Sequence, residues 1–139
     1  MVHNRVIFIV IFDICKLILQ VFVPLAMSFG FHFAGKSLWD AYNDVQHLVE
    51  TGNFDDLPEL HALSCGLKAL VTQESADAID LVRRSCGGHG FMCSSNLPRL
   101  WGLVTASCTY EGENTVMQLQ VRLQSNTVTT KTSPGGNIF

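Results

Sequence analysis

The sequence predicts an all-α fold: an incomplete helical bundle with an irregular Gly-rich loop and a disordered C-terminal tail. Three observations predict it. Apolar residues recur at helical spacing over residues 38–49 and again over residues 60–82, as expected of helices that bury one face. No stretch carries a strand pattern, and no segment repeats at a fixed period. Apolar residues make up 47% of the 139 positions and charged residues only 15%, so the helices have faces to cover while the chain is long enough for only one small domain. The net charge of −3 comes without a basic stripe, which excludes nucleic acid as the expected partner. Cys15, Cys65, Cys86, Cys93 and Cys108 are odd in number and form no C-x-x-C pair. They read as thiols in a reducing compartment rather than a disulfide framework.

Residues 6–27 are mostly apolar, but Asp13, Lys16, Gln20 and Pro24 interrupt them. As a membrane span the segment is poor, because a charge near the bilayer centre costs about 2.5–3.5 kcal/mol. As a signal peptide it offers Arg5 and a short apolar run that Asp13 ends, with no small-residue cleavage site behind it. Asp13, Lys16 and Gln20 share one helical face. Residues 1–29 are therefore set apart as an apolar helix that packs against a partner, or as a stretch foreign to the domain behind it. A membrane anchor stays open but is not favoured.

From Ser37, Leu38, Ala41, Tyr42, Val45, Leu48 and Val49 mark a helix that Gly52 and Asn53 stop. Asp55 or Asp56 can cap the next helix, with Pro58 in its first turn. Leu60, Leu63, Leu67, Leu70, Val71, Ala78, Leu81 and Val82 carry its apolar stripe. Arg83 and Arg84 suit the negative end of its dipole, and Gly87-Gly88 closes it after nearly thirty residues. A loop over residues 87–96 follows. Pro98 opens a short helix through Leu100, Trp101 and Val104; residues 105–110 read as irregular; a last helix begins near Gly112 and runs through Val116, Leu119 and Leu123. From Ser125 the chain is polar and without apolar period, so residues 125–139 read as a disordered tail.

Two stretches carry candidate chemistry. Gly87, Gly88 and Gly90 form a loop whose backbone N–H groups could approach a phosphate. From spacing alone the run reads first as a helix terminator, since no strand precedes it as a dinucleotide fingerprint requires. Glu111 stands at a loop-to-helix junction before Gly112, flanked by Tyr110 and near Trp101 in sequence. Partial desolvation there would raise its pKa towards that of a useful base. The plainer reading of Glu111, and of Glu113, is a first-turn glutamate facing the helix dipole. Cys86, His89, Cys93 and Cys108 match no common zinc spacing, so no metal is expected.

Taken together and in order, Pro58-Glu59-Leu60-His61-Ala62-Leu63, Cys86-Gly87-Gly88-His89-Gly90-Phe91 and Tyr110-Glu111-Gly112-Glu113-Asn114-Thr115-Val116-Met117 resemble the peroxisomal acyl-CoA oxidase family over residues 31–120. The related dehydrogenases follow the glutamate with Gly-Thr-Ser, so the oxidase branch fits better. The resemblance implies a homodimeric flavoprotein of fatty-acid β-oxidation that takes fatty acyl-CoA as substrate and FAD as cofactor. It implies that Glu111 removes the proton α to the thioester carbonyl, giving a trans-2-enoyl-CoA with release of hydrogen peroxide. It further implies that Gly87, Gly88 and Gly90 lie near FAD, often that of a partner subunit, and that Glu113, Asn114 and Thr115 also lie near the cofactor. Residues 30–124 would then form part of the oxidase helical domain. Family members are several times longer, residues 1–29 fall outside the match, and the chain ends in Asn137-Ile138-Phe139 rather than a Ser-Lys-Leu signal. A piece of an oxidase is therefore expected, without the complete pocket that turnover requires. The rival expectation is a catalytically inactive helical piece that only interacts.

Overall fold

In the computed structural model, residues 2–132 are described, with side chains over residues 13–126. Among them there are four α-helices and no strand: α1 (Val2–Glu50), α2 (Leu57–Ser85), α3 (Leu97–Ala106) and α4 (Asn114–Thr132). Two single 3₁₀ turns, Gly87–Gly90 and Cys93–Ser95, join α2 to α3. The all-α expectation holds.

The central element is α2, and α1, α3 and α4 all pack against it. Asp56 is its N-cap residue but makes no side-chain capping bond, and Pro58 sits in its first turn, where a missing N–H is harmless. Arg83 and Arg84 occupy its last turn as expected, and both pair with Asp80, at 2.5 and 2.9 Å. α1 ends in a Schellman turn: the amide of Gly52 donates to Val49 O (2.9 Å) and that of Asn53 to Leu48 O (3.0 Å), with Gly52 at φ +86°.

Two boundaries differ from the sequence reading. α1 does not break near residues 28–30; it runs through Gly30 and Gly35 without interruption. Glycine inside a helix costs only about 1 kcal/mol relative to alanine, a small penalty for a helix of 49 residues to carry. The second difference is at the other end, where α4 continues to Thr132, through residues read as tail. Polarity argues against a core, but not against a helix once the preceding turns have nucleated it. Residues 133–139, including the terminal Asn137-Ile138-Phe139, lie outside the described residues.

The core is thin. Among the described residues only Cys65, Ala69, Ala76, Gly90 and Asn114 are buried, and four of the five are small. Phe22, Phe29, Phe33, Trp39, Leu103 and Leu123 all stand exposed. Within α1, the stretch Asp13–Glu50 is long and apolar enough to cross a membrane by length and composition.

Candidate active site

The turn before α4 is built on one face of α2. Lys68 and Thr72 lie one helical turn apart and so project side by side. Lys68 Nζ donates to the carbonyl oxygen of Gly112, and to Asn114 Oδ1 at 3.0 Å. Thr72 Oγ1 lies 3.0 Å from the same Oδ1 and 2.8 Å from the Lys68 carbonyl oxygen. The amide of Asn114 donates to Cys108 O at 3.1 Å, and Cys108 Sγ donates to Thr72 O at 3.5 Å. Hydrogen bonds with a charged donor contribute about 1.5–3 kcal/mol each, so the lysine is the strongest single tie between the turn and α2.

This anchoring holds an unusual backbone. Glu111 has φ +57° and Gly112 φ +101°, two left-handed residues in succession. For the glutamate that conformation costs roughly 1–2 kcal/mol. At position 112 a Cβ would also run into the Met117 side chain. The methionine could swing aside, but the backbone angle would still demand glycine. Glu111 projects from the turn exposed. The desolvation expected from Trp101 is absent, because Trp101 lies against the far half of α2, where the Arg83 guanidinium stacks over its ring at 5.4 Å.

Glu113 has a different task. Its carboxylate accepts from the amides of Thr115 (2.9 Å) and Val116 (3.3 Å) and from Thr115 Oγ1 (3.0 Å). It caps α4, and the Thr115 amide bond, with help from the other bonds and the Lys68 charge, holds its carboxyl below the ordinary range. Asn114 is buried, and while its Oδ1 is satisfied, its Nδ2 has no partner among the described residues. A buried amide donor left unpaired is uncommon in a folded chain.

The glycine loop is elsewhere. Arg83, where the loop docks, is fifteen residues beyond Lys68 on α2, about 22 Å at the helical rise. The structure thus brings Glu111, Glu113, Asn114 and Thr115 together and keeps Gly87, Gly88 and Gly90 apart from them. Gly87 and Gly88 are exposed, whereas Gly90 is buried and a Cβ there would overlap the Arg83 carbonyl oxygen. Gly90 therefore has a packing reason of its own. Sequence reading overlooked Lys68 and Thr72. The signal was a lysine between Leu67 and Ala69 inside an apolar stripe, with a hydroxyl four residues on.

A carboxylate displayed at the surface on a turn tied to a helical scaffold can accept a proton from a bound molecule. The family description "Acyl-CoA oxidase, C-alpha1 domain" matches residues 11–124. The chain belongs to the acyl-CoA oxidase family. It is 49% identical over 102 residues to acyl-coenzyme A oxidase 1 of Drosophila melanogaster, covering 73% of this chain and 15% of that protein. It is 45% identical over 113 residues to peroxisomal acyl-coenzyme A oxidase 2 of Rattus norvegicus, covering 80% and 17%. Among solved structures, acyl-CoA oxidase-1 of Caenorhabditis elegans, complexed with FAD and ATP, superposes with a TM-score of 0.63 at 34% identity, covering 73% of this chain and 17% of that one. The chain thus spans about 15% of the length of the first of these relatives. The match begins at residue 11 and so takes in much of the apolar N-terminal stretch.

Proposed function

We propose that this chain is the base-bearing helical segment of a peroxisomal, FAD-dependent fatty acyl-CoA oxidase. In this reading Glu111 takes the proton from the carbon α to the thioester carbonyl, and the product is a trans-2-enoyl-CoA. FAD, when bound, would supply the acceptor for the β-hydride and the route of its electrons to oxygen, from which hydrogen peroxide would come. The protein's part is to hold the carboxylate still and to supply hydrogen bonds around it. The observation that carries the reading is the exposed Glu111 carboxylate on a left-handed residue, on a turn tied to α2. Membership of the oxidase family and the C. elegans relative's complex with FAD support the chemistry.

The residues present suit a polar cofactor in part. Asn114 Nδ2 is a buried donor with no acceptor among the described residues, and the backbone at Gly87 and Gly88 is open to approach. Glu113 is already engaged as a helix cap, and the space at Gly90 is filled by the chain itself. Thr115 is engaged with Glu113 through both its amide and its hydroxyl, so Asn114 is the stronger candidate on the turn, and Gly87 and Gly88 on the loop. A homodimer would let the two regions, about 22 Å apart along α2, serve different cofactor molecules.

The test is Glu111→Gln in a complete oxidase whose own segment is replaced by residues 11–124. Acyl-CoA-dependent peroxide release should fall by about 10²–10⁴-fold, the usual contribution of a positioned base. Undiminished peroxide release would refute the assignment. A second reading, a non-catalytic interaction piece, is favoured by the thin core and the exposed apolar side chains. Purified chain that lacks flavin absorbance and makes no peroxide supports it.

A further inference from the structure

We infer that Lys68 is a positioning residue for Glu111, acting through the turn that carries it; the inference rests on Glu111 being the base. The ammonium is half-buried across the seam between α2 and the turn. Among the described residues it makes no ion pair, and the carboxylate next along the chain, Glu113, is turned onto its own helix. Lys68 instead directs its donors at two neutral oxygens, Gly112 O and Asn114 Oδ1, which belong to the same short segment. A lysine at the surface would keep its head group in water on a flexible stem.

The turn needs such a tie. A non-glycine residue in the left-handed region persists only where its surroundings over-determine it, and Glu111 is followed by a second positive φ at Gly112. The Asn114 amide bond to Cys108 O closes the base of the turn. Lys68 closes its tip: holding the Gly112 carbonyl fixes the peptide plane that follows, and holding Oδ1 fixes the first residue of α4. Thr72 has one hydroxyl proton for two acceptors, so it can only assist. A base aimed by the backbone turn beneath it is thus oriented by a residue that never touches the substrate.

Two measurements test this. In the 139-residue chain, Lys68→Met should raise amide hydrogen exchange at Asn114 by about tenfold while the middle of α2 is unaffected. In the chimeric oxidase, Lys68→Met should lower kcat roughly 10- to 100-fold with KM within about twofold, and Lys68→Arg should regain most of the loss. A merely structural lysine would lower the yield of folded protein and leave kcat per folded molecule intact. Wild-type exchange and wild-type kcat in Lys68→Met overturn the inference. If Lys68→Met does not fold, Lys68→Gln decides: a fall in kcat with KM held supports the tie, and an unchanged kcat overturns it. Glu111→Gln run in parallel separates the two ideas. Loss of turnover there with normal Lys68→Met leaves the base assigned and the positioning role refuted, whereas an active Glu111→Gln removes both.

Discussion

Glu111 and Glu113 are two residues apart, yet only one is free to do chemistry. Glu113 is bound to the first amides of α4, and its ordinary value of 4.5 is lowered chiefly by the Thr115 amide. Because the folded-state value is depressed, the cap stabilises the helix fully above the ordinary value and is lost as pH falls through the lowered one. Protection of the Thr115 and Val116 amides, measured as exchange relative to the intrinsic rate at each pH, should therefore fall at acid pH, and in Glu113→Gln it should already be lower at neutrality, with no such acid dependence. A second residue-scale prediction concerns Gly90. A methyl group there meets the Arg83 carbonyl, so Gly90→Ala should lower stability by about 1–3 kcal/mol in urea unfolding. Glu111 and the glycines were legible as motifs because both lie in short contiguous runs. Lys68 was not, because its role depends on a contact with residues 112 and 114, more than forty positions away.

At the scale of elements, α2 was the most legible part of the chain. An apolar stripe, a proline in its first turn and two arginines in its last all point to one helix, and Leu57–Ser85 is what forms. The stop after α1 was equally readable, since the Gly52-Asn53 pair makes the Schellman bonds its chemistry invites. Gly52→Ala should cost about 1 kcal/mol through its positive φ and fray the last turn of α1. Circular dichroism at the thermal midpoint would register both. The continuity of α1 through Gly30 and Gly35 was not readable, because a change in composition marks where partners change and need not mark where a helix ends. The same holds for α4 beyond Ser125: a polar sequence reports the want of a core, and helix propagation does not require one.

At the scale of the whole molecule, the chain exposes 10785 Å², against about 7,100 Å² for a compact monomer of this mass. The excess is rich in large apolar side chains on α1, which no other described element covers. In isolation the purified chain should therefore self-associate; a single monomeric species in sedimentation velocity, with no binding of a hydrophobic dye, would contradict this. How α2 separates the Glu111 turn from the glycine loop has a further consequence. A helix fixes both spacing and angular phase, so one residue inserted between Lys68 and Arg83 would swing one site about 100° around the axis relative to the other. Two full turns, about seven residues, would nearly restore the angle while pushing the sites some 10 Å further apart. The intervening stretch can thus absorb changes of identity on its outer face more readily than changes of length: it works as a gauge block whose residue count sets how the two segments face one another.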